Sequence, residues 1–242
     1  MLAGHSQPDD CDLEVLNSIT CDDISEAEKL LKEGFCQCHL AEDTPNLYIK
    51  VLVRGNGHEA QIIIEGSHTN ITGRILDGKP IYSSASCSGD DMAEKLKDHL
   101  SVKKILQFAE ALTEKDGREL FSAQIRDNTA IAEEGLSGNY GARVGQTLLK
   151  TRDEGSVRAR AVAKAAAGSD ARMNGCTLPV VINSGSGNQG ITVTVPVVEY
   201  AKAAGADQLS LYRAMAISNL ISIHIKHHIG KLSAFCGAVS AS

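Results

Sequence analysis

The sequence has no tryptophan, and aromatic residues fill only 4% of its 242 positions. Any core must therefore be assembled from Ala, Val, Ile and Leu, whose small side chains let neighbouring elements approach closely. Positive charge is in the minority: 24 Lys and Arg stand against 30 Asp and Glu, a net charge of −6. That balance argues against broad binding to nucleic acid or to an anionic membrane, both of which need a basic face. Long apolar runs are missing as well. The most apolar stretch, Leu209 to Ile225, is interrupted by Arg213 and is too short to span a bilayer. Met1 to Asp10 shows no basic segment followed by an apolar one. No secretory signal is read there, and the chain is expected in the cytoplasm. Seven cysteines, at 11, 21, 36, 38, 87, 176 and 236, include no Cys-x-x-Cys pair. An odd count without a signal argues against a disulfide framework. Cys36-Gln37-Cys38 offers metal donors but no second pair to complete a site, so idle or buried thiols are the simpler expectation.

What is present is ordinary for a globular chain, with 43% apolar and 22% charged residues, enough for one or two domains. The first third reads as α+β. Ser25 followed by Glu28 has the spacing of a capping box, with Leu30 and Leu31 on one side of a helix that Gly34 ends. Apolar runs from Leu47 to Val53 and from Ala60 to Ile64 flank Gly55-Asn56-Gly57. A second pair, Ile71 to Leu76 and Pro80 to Ser83, flanks Asp77-Gly78. Asn-Gly and Asp-Gly tolerate positive φ at both turn positions, which predicts hairpins. The expected first domain, residues 12–88, is a small antiparallel sheet of about four strands covered by the Ser25 helix.

After Cys87 the period changes. Val102, Ile105, Leu106, Ala109 and Leu112 recur at helical spacing behind a Ser101 cap, and Met92, Leu96 and Leu100 suggest a shorter helix before them. Further helices are expected within Glu119–Glu133, Ser156–Ala167 and Asp207–His228, making residues 90–242 a mostly α-helical domain. Ile191 to Val195 alternates like a strand, and Pro196 closes the pattern.

The most unusual segment is Asn183-Ser184-Gly185-Ser186-Gly187-Asn188-Gln189-Gly190. Three glycines among Ser, Asn and Gln let backbone come close to a ligand and expose many donors. If a helix follows, its free N–H groups favour an anion such as a carboxylate. The segment lacks the Gly-Lys-Ser/Thr of a phosphate loop and the preceding βαβ unit of a dinucleotide fingerprint. On composition, a ligand loop and a plain flexible turn are equally open.

Five stretches together carry a resemblance. They are Gly66-Ser67-His68-Thr69-Asn70, Gly135 to Gly141 (GLSGNYG), Ser169 to Pro179 (SDARMNGCTLP), Asn183 to Val193 (NSGSGNQGITV) and Ile225 to Gly237. In this order they resemble the UPF0597 family, which is similar to L-cysteine desulfidase and to the alpha region of iron–sulfur L-serine dehydratases. The likeness runs from about residue 12 to residue 242. It implies a helix rather than a strand at Ile191–Val195. It implies amino-acid catabolism by a lyase that eliminates a β-substituent from L-cysteine or L-serine, giving pyruvate and ammonia on a [4Fe–4S] cluster. On that pattern Cys236 is a cluster ligand, while Ser184, Gly185, Ser186, Gly187, Asn188 and Gln189 hold the substrate carboxylate, helped by Arg172 and Lys226. The family's Gly-Cys-Thr-Glu-Pro and Cys-Asp-Gly-Ala segments have no counterpart here. The chain thus resembles a central fragment, inactive alone, expected either to form a homodimer or to meet a partner chain that supplies the missing segments.

Each assignment has a structural alternative. Cys236 sits beside Ala234 and Phe235 and reads equally as an inert thiol, Arg172 and Asp170 as a surface pair, and Lys226 as a favourable charge at the end of its helix. His68 reads more simply as part of a turn, and Cys176 carries no assignment. A function of a different class stays open: a non-catalytic module whose Gly-rich loop binds a small amino acid without a cluster.

Overall fold

Period-2 sequence becomes an antiparallel sheet, and period-3.6 sequence becomes a helical assembly. The computed structural model describes residues 19–45, 47–67, 70–83, 99–151, 155–230 and 235–242. Contacts divide the chain into two units, Met1–Lys95 and Leu96–Ser242, and the architecture is α+β.

In the first unit, helix α1 (Cys21–Lys32) is capped by Thr20, whose hydroxyl accepts the Asp23 N–H while the Asp23 carboxylate accepts the Thr20 N–H. The expected start at Ser25 is corrected: Ser25 lies inside the helix and donates its hydroxyl to the Cys21 carbonyl at 3.0 Å. Gly34, with φ +76°, ends it as expected. Strands β1 (Tyr48–Gly55), β2 (His58–Glu65), β3 (Ile71–Leu76) and β4 (Lys79–Ser83) form an antiparallel sheet in sequence order. Both expected turns form, with Asn56 (φ 51°) and Gly57 (φ 80°) in one and Asp77 (φ 50°) and Gly78 (φ 75°) in the other. The handedness of these turns matches the twist of the flanking strands. The Asp77 carboxylate clips two hairpins together by accepting the Glu59 N–H at 2.9 Å and meeting His58 Nδ1 at 2.8 Å. These two hydrogen bonds, the backbone one first, hold the Asp77 carboxyl below its ordinary range. Helix α1 buries none of its residues, so it does not supply the expected cover. Ile24, Leu30 and Leu31 are its only large apolar side chains, too narrow a stripe to seal a sheet face. Ile49, Val51 and Val53, which share one face of β1, remain 44–59% exposed.

In the second unit, α2 (Val102–Ala111) starts at Ser101 as expected, with the Lys104 N–H donated to its hydroxyl. It is followed by α3 (Glu114–Ser137), α4 (Val144–Thr151), α5 (Val157–Met173), α6 (Gly187–Ala204), α7 (Gln208–Ile229) and a single turn, α8 (Gly237–Ser240). The short helix expected through Met92 and Leu96 lies outside the described residues. Helix α5 packs against α3, α4 and α6, and Ala159, Ala161, Ala163, Ala165, Ala167 and Ala171 are all buried along it. This is how a chain poor in aromatics builds a core. A Cβ on Gly135 of α3 would overlap the Ala167 carbonyl, and one on Gly145 of α4 would overlap that of Ala163. The backbones touch where larger side chains would hold them apart. One apolar cluster joins Ala109, Leu112, Phe121, Tyr212, Met215 and Ala216, and another joins Ile131, Ala132, Ala171, Ile191 and Val195.

Ile191–Val195 is helical, inside α6. Its strand-like alternation arises from threonines that satisfy themselves on the helix: Thr192 donates to the Asn188 carbonyl and Thr194 to that of Gly190. Pro196 does not end the segment but sits within the helix. It has no N–H for the carbonyl one turn back. The neighbouring Val193 carbonyl takes a 2.8 Å hydrogen bond from Ser218 of α7.

Candidate functional site

The Gly-rich segment is a tight turn leading into a long helix. Asn183 and Ser186 exchange both backbone hydrogen bonds, at 3.1 and 3.0 Å, across Ser184 (φ 48°) and Gly185 (φ 82°). Two consecutive left-handed residues in a two-residue turn explain the glycine at 185. Ser186 then caps α6 by accepting the Gln189 N–H. The other two glycines serve the protein itself. A Cβ on Gly187 would strike the Arg172 guanidinium, and one on Gly190 the Val181 carbonyl. The amides of Asn183, Ser186, Gln189 and Gly190 are bonded within the protein. Those of Ser184, Gly185, Gly187 and Asn188 have no partner among the described residues. The last two head an 18-residue helix, at the positive end of its dipole.

Beneath the turn lies a buried polar network drawn from three helices. Asn128 of α3 clamps the chain leading into the turn, donating to the Val181 carbonyl at 3.0 Å and accepting the Val181 N–H at 2.9 Å. Gln124 donates to Thr194 Oγ1 at 2.8 Å and to Asn219 Oδ1 at 3.0 Å. Asn183 donates to Asn219 Oδ1 at 2.8 Å. Gln189, fully buried, donates to Asn183 Oδ1 at 3.1 Å and to Ser222 Oγ at 2.6 Å. Two groups stand out in this otherwise paired set. Gln189 Oε1 is buried with no hydrogen-bond partner. Lys226 is only 4% exposed, and its side chain has no hydrogen bond or ion pair among the described residues. Both face Gly237: a Cβ there would overlap Gln189 Oε1 and come within 3.3 Å of Lys226 Nζ.

The structure thus brings Lys226 to the inner side of the α6 first turn and Arg172 to its outer side. Arg172 is exposed and donates to Asn188 Oδ1 at 3.2 Å. The surface pair between Arg172 and Asp170 does not form, because Asp170 accepts the Val144 N–H at 2.8 Å and so heads α4. Nor is Lys226 simply a solvated charge at a helix end, since its side chain is buried. Cys236 is exposed and precedes α8. Cys36 and Cys38 are also exposed, and His68 lies outside the described residues. Among the described residues no three His, Cys, Asp or Glu side chains converge to hold a metal ion. Tyr140, from the GLSGNYG stretch, donates to Glu134 at 3.0 Å. Cys176 first and Glu134 second push its hydroxyl up to about 12, so it stays a proton donor at neutral pH.

Sequence reading did not single out Gln124, Asn128, Asn219 or Ser222. A signal existed: Gln124 and Asn128, four apart, and Asn219, Ser222 and Lys226, spaced three and four, place polar groups together on one face of each helix.

Comparison with known proteins defines the class. The family model for the serine dehydratase alpha chain matches residues 12–242, and the chain belongs to that family. Its relatives include three proteins named UPF0597. The one from Lachnoclostridium phytofermentans is 44% identical over 230 residues, covering 95% of this chain and 55% of the relative. That from Finegoldia magna is 42% identical over 230 residues, covering 95% and 54%. That from Desulfitobacterium hafniense is 41% identical over 241 residues, covering 100% and 55%. The chain therefore spans about half the length of the curated relatives it matches. No solved structure matches it, and no helix among the described residues is long and apolar enough to cross a membrane.

Proposed function

We propose that this chain is part of an iron–sulfur-dependent amino-acid lyase of the L-cysteine desulfidase or L-serine dehydratase type, acting in the cytoplasm. The observation that carries the reading is Lys226, whose side chain is largely buried with no ion pair among the described residues, and whose Nζ reaches the Gly237 side of Gln189 in the first turn of α6. An unpaired buried charge is costly, so such a group is kept where a ligand brings the opposite charge. The carboxylate of a small amino acid supplies that charge. The unbonded amides of the Ser184–Asn188 turn add donors from the helix end, and Arg172 guards the outer edge with a planar fork suited to a carboxylate.

Cys236 is the one residue that the family likeness assigns to a [4Fe–4S] cluster, which needs about three or four thiolates. The described residues do not by themselves fit such a group. In this reading a partner chain completes the donor set, and the chain itself is expected to pair as a homodimer. With Cys236 alone at a family ligand position, the described residues equally favour the second reading, an amino-acid-binding module without a cluster. Thermal unfolding with L-serine, L-cysteine and sodium chloride controls tests the common core of both. Stabilisation by an amino acid that is lost in Lys226→Met supports the site, and no shift with either amino acid sinks it. Anaerobic addition of iron and sulfide then separates the two readings by whether a brown cluster chromophore forms.

A further inference from the structure

Gln189 joins four pieces of the second unit through one carboxamide. Its Nε2 donates to Asn183 in the turn and to Ser222 on α7, while Gln189 itself lies in the first turn of α6. Its Oε1 rests against the α-carbon of Gly237, where a side chain would collide with it. The orientation of the carboxamide is fixed electrostatically. Turning it over would aim its NH2 group at the Lys226 ammonium and give up both donated bonds. The oxygen therefore faces Gly237 and Lys226 and leaves room only for a residue without a Cβ.

Gly237 follows Cys236 directly and opens α8. The short helix docks mainly on α6, with Ala241 buried and Thr192 Oγ1 2.8 Å from Ser242 Oγ at its far end. We propose that Gln189 is a positioning residue for Cys236. Locked by Asn183, Ser222 and Lys226, its carboxamide seats Gly237 and so fixes where the backbone presents Cys236 beside the Gly-rich turn. The same carboxamide ties the turn to the cysteine segment, so a ligand that shifts Asn183 also shifts the seat of Cys236. The functional meaning of that link rests on the reading of Cys236 and the turn given above; the link itself does not.

The test is amide exchange of α8, read by mass spectrometry on peptides from the 242-residue chain. The Val239 and Ser240 amides bond to the Cys236 carbonyl and the Ala241 amide to that of Gly237, so their protection reports docking. In Gly237→Ala, exchange at these amides is expected to rise about tenfold, the effect of one overpacked methyl on a local opening. Exchange in α3 and α5 stays as in the wild type. Gln189→Ala empties the seat and loosens α8 as well. In the double variant the new Cβ occupies the space the carboxamide left, and exchange falls below that of either single variant. A purely structural loss at each position would instead add. Unchanged protection in both single variants, or a double variant as loose as the looser single one, overturns the proposal. No step needs a ligand or a cluster. The expected exchange pattern without amino-acid binding therefore defeats only the functional reading, and binding without that pattern defeats only this one.

Discussion

Lys226→Met separates a cation kept for a ligand from a cation kept for the fold. Methionine retains most of the aliphatic stem and removes the charge, so packing around α7 changes little. In the free protein the wild-type side chain is largely buried and has no ion pair among the described residues. Desolvating such a group opposes folding, and replacing it by a well-packed apolar side chain is expected to raise the unfolding free energy by about 1–2 kcal/mol. Urea titration followed by far-ultraviolet circular dichroism measures this, provided the denaturant slope is unchanged between the two proteins. The variant should be the more stable protein without ligand and the less responsive one with it. At about a hundredfold excess over the dissociation constant, an amino acid adds roughly 2.7 kcal/mol to the wild type, and that increment should disappear in the variant. A loss of more than about 1 kcal/mol in the free variant would refute the reasoning, because the ammonium would then be holding native structure. So would a more stable variant that L-serine still stabilises to the wild-type extent.

Other expectations follow from single contacts. Asn128→Ala leaves both backbone groups of Val181 without their partner and should cost about 2–4 kcal/mol in the same titration; a loss under about 0.5 kcal/mol would contradict the clamp. Asp116, in the capping box of α3, has its carboxyl held below the ordinary 3.8, first by the Thr113 hydroxyl and then by the Thr113 N–H. A depressed carboxylate stabilises above its unfolded value and loses that contribution as pH falls through the folded one. Melting curves at descending pH should therefore fall less steeply for Asp116→Asn below about pH 4. The 242-residue chain alone should form no pyruvate from L-cysteine, since one family thiolate is too few for a cluster; steady pyruvate release measured with lactate dehydrogenase would overturn this. The open face of β1 gives the proposed homodimer a surface to bury. Light scattering should read about twice the 25.7 kDa chain mass for the wild type and a single mass for Val51→Lys.

Much of the fold was legible because local chemistry and tertiary packing agree there. Asn56-Gly57 and Asp77-Gly78 need no distant partner to take left-handed conformations, and Ser101 caps α2 from within its own first turn. The readings that failed depend on contacts that sequence separation hides. Helix α4 was not foreseen, because its first amide is held by Asp170, 26 residues away. Pro196 read as a stop because it lacks an N–H, whereas the packing of α6 against α5 and α7 that accompanies its helix joins residues far apart in sequence. The candidate site divides along the same line. The turn residues Ser184 to Gln189 announce themselves through glycine and amide density. The polar groups beneath them, Gln124, Asn128, Asn219 and Ser222, lie on three-turn-or-longer helices where each looks like an isolated exception to an apolar stripe. Only the fold places them side by side, and once assembled they satisfy one another almost completely. The remainder, Gln189 Oε1 without a hydrogen-bond partner and the Lys226 side chain without an ion pair among the described residues, is then informative because the network around it is paired. A network of this kind fixes one arrangement of its members. In the proposed reading, Gln189 Oε1 and the Lys226 side chain lie at the edge of that arrangement, where local rules yield to a ligand.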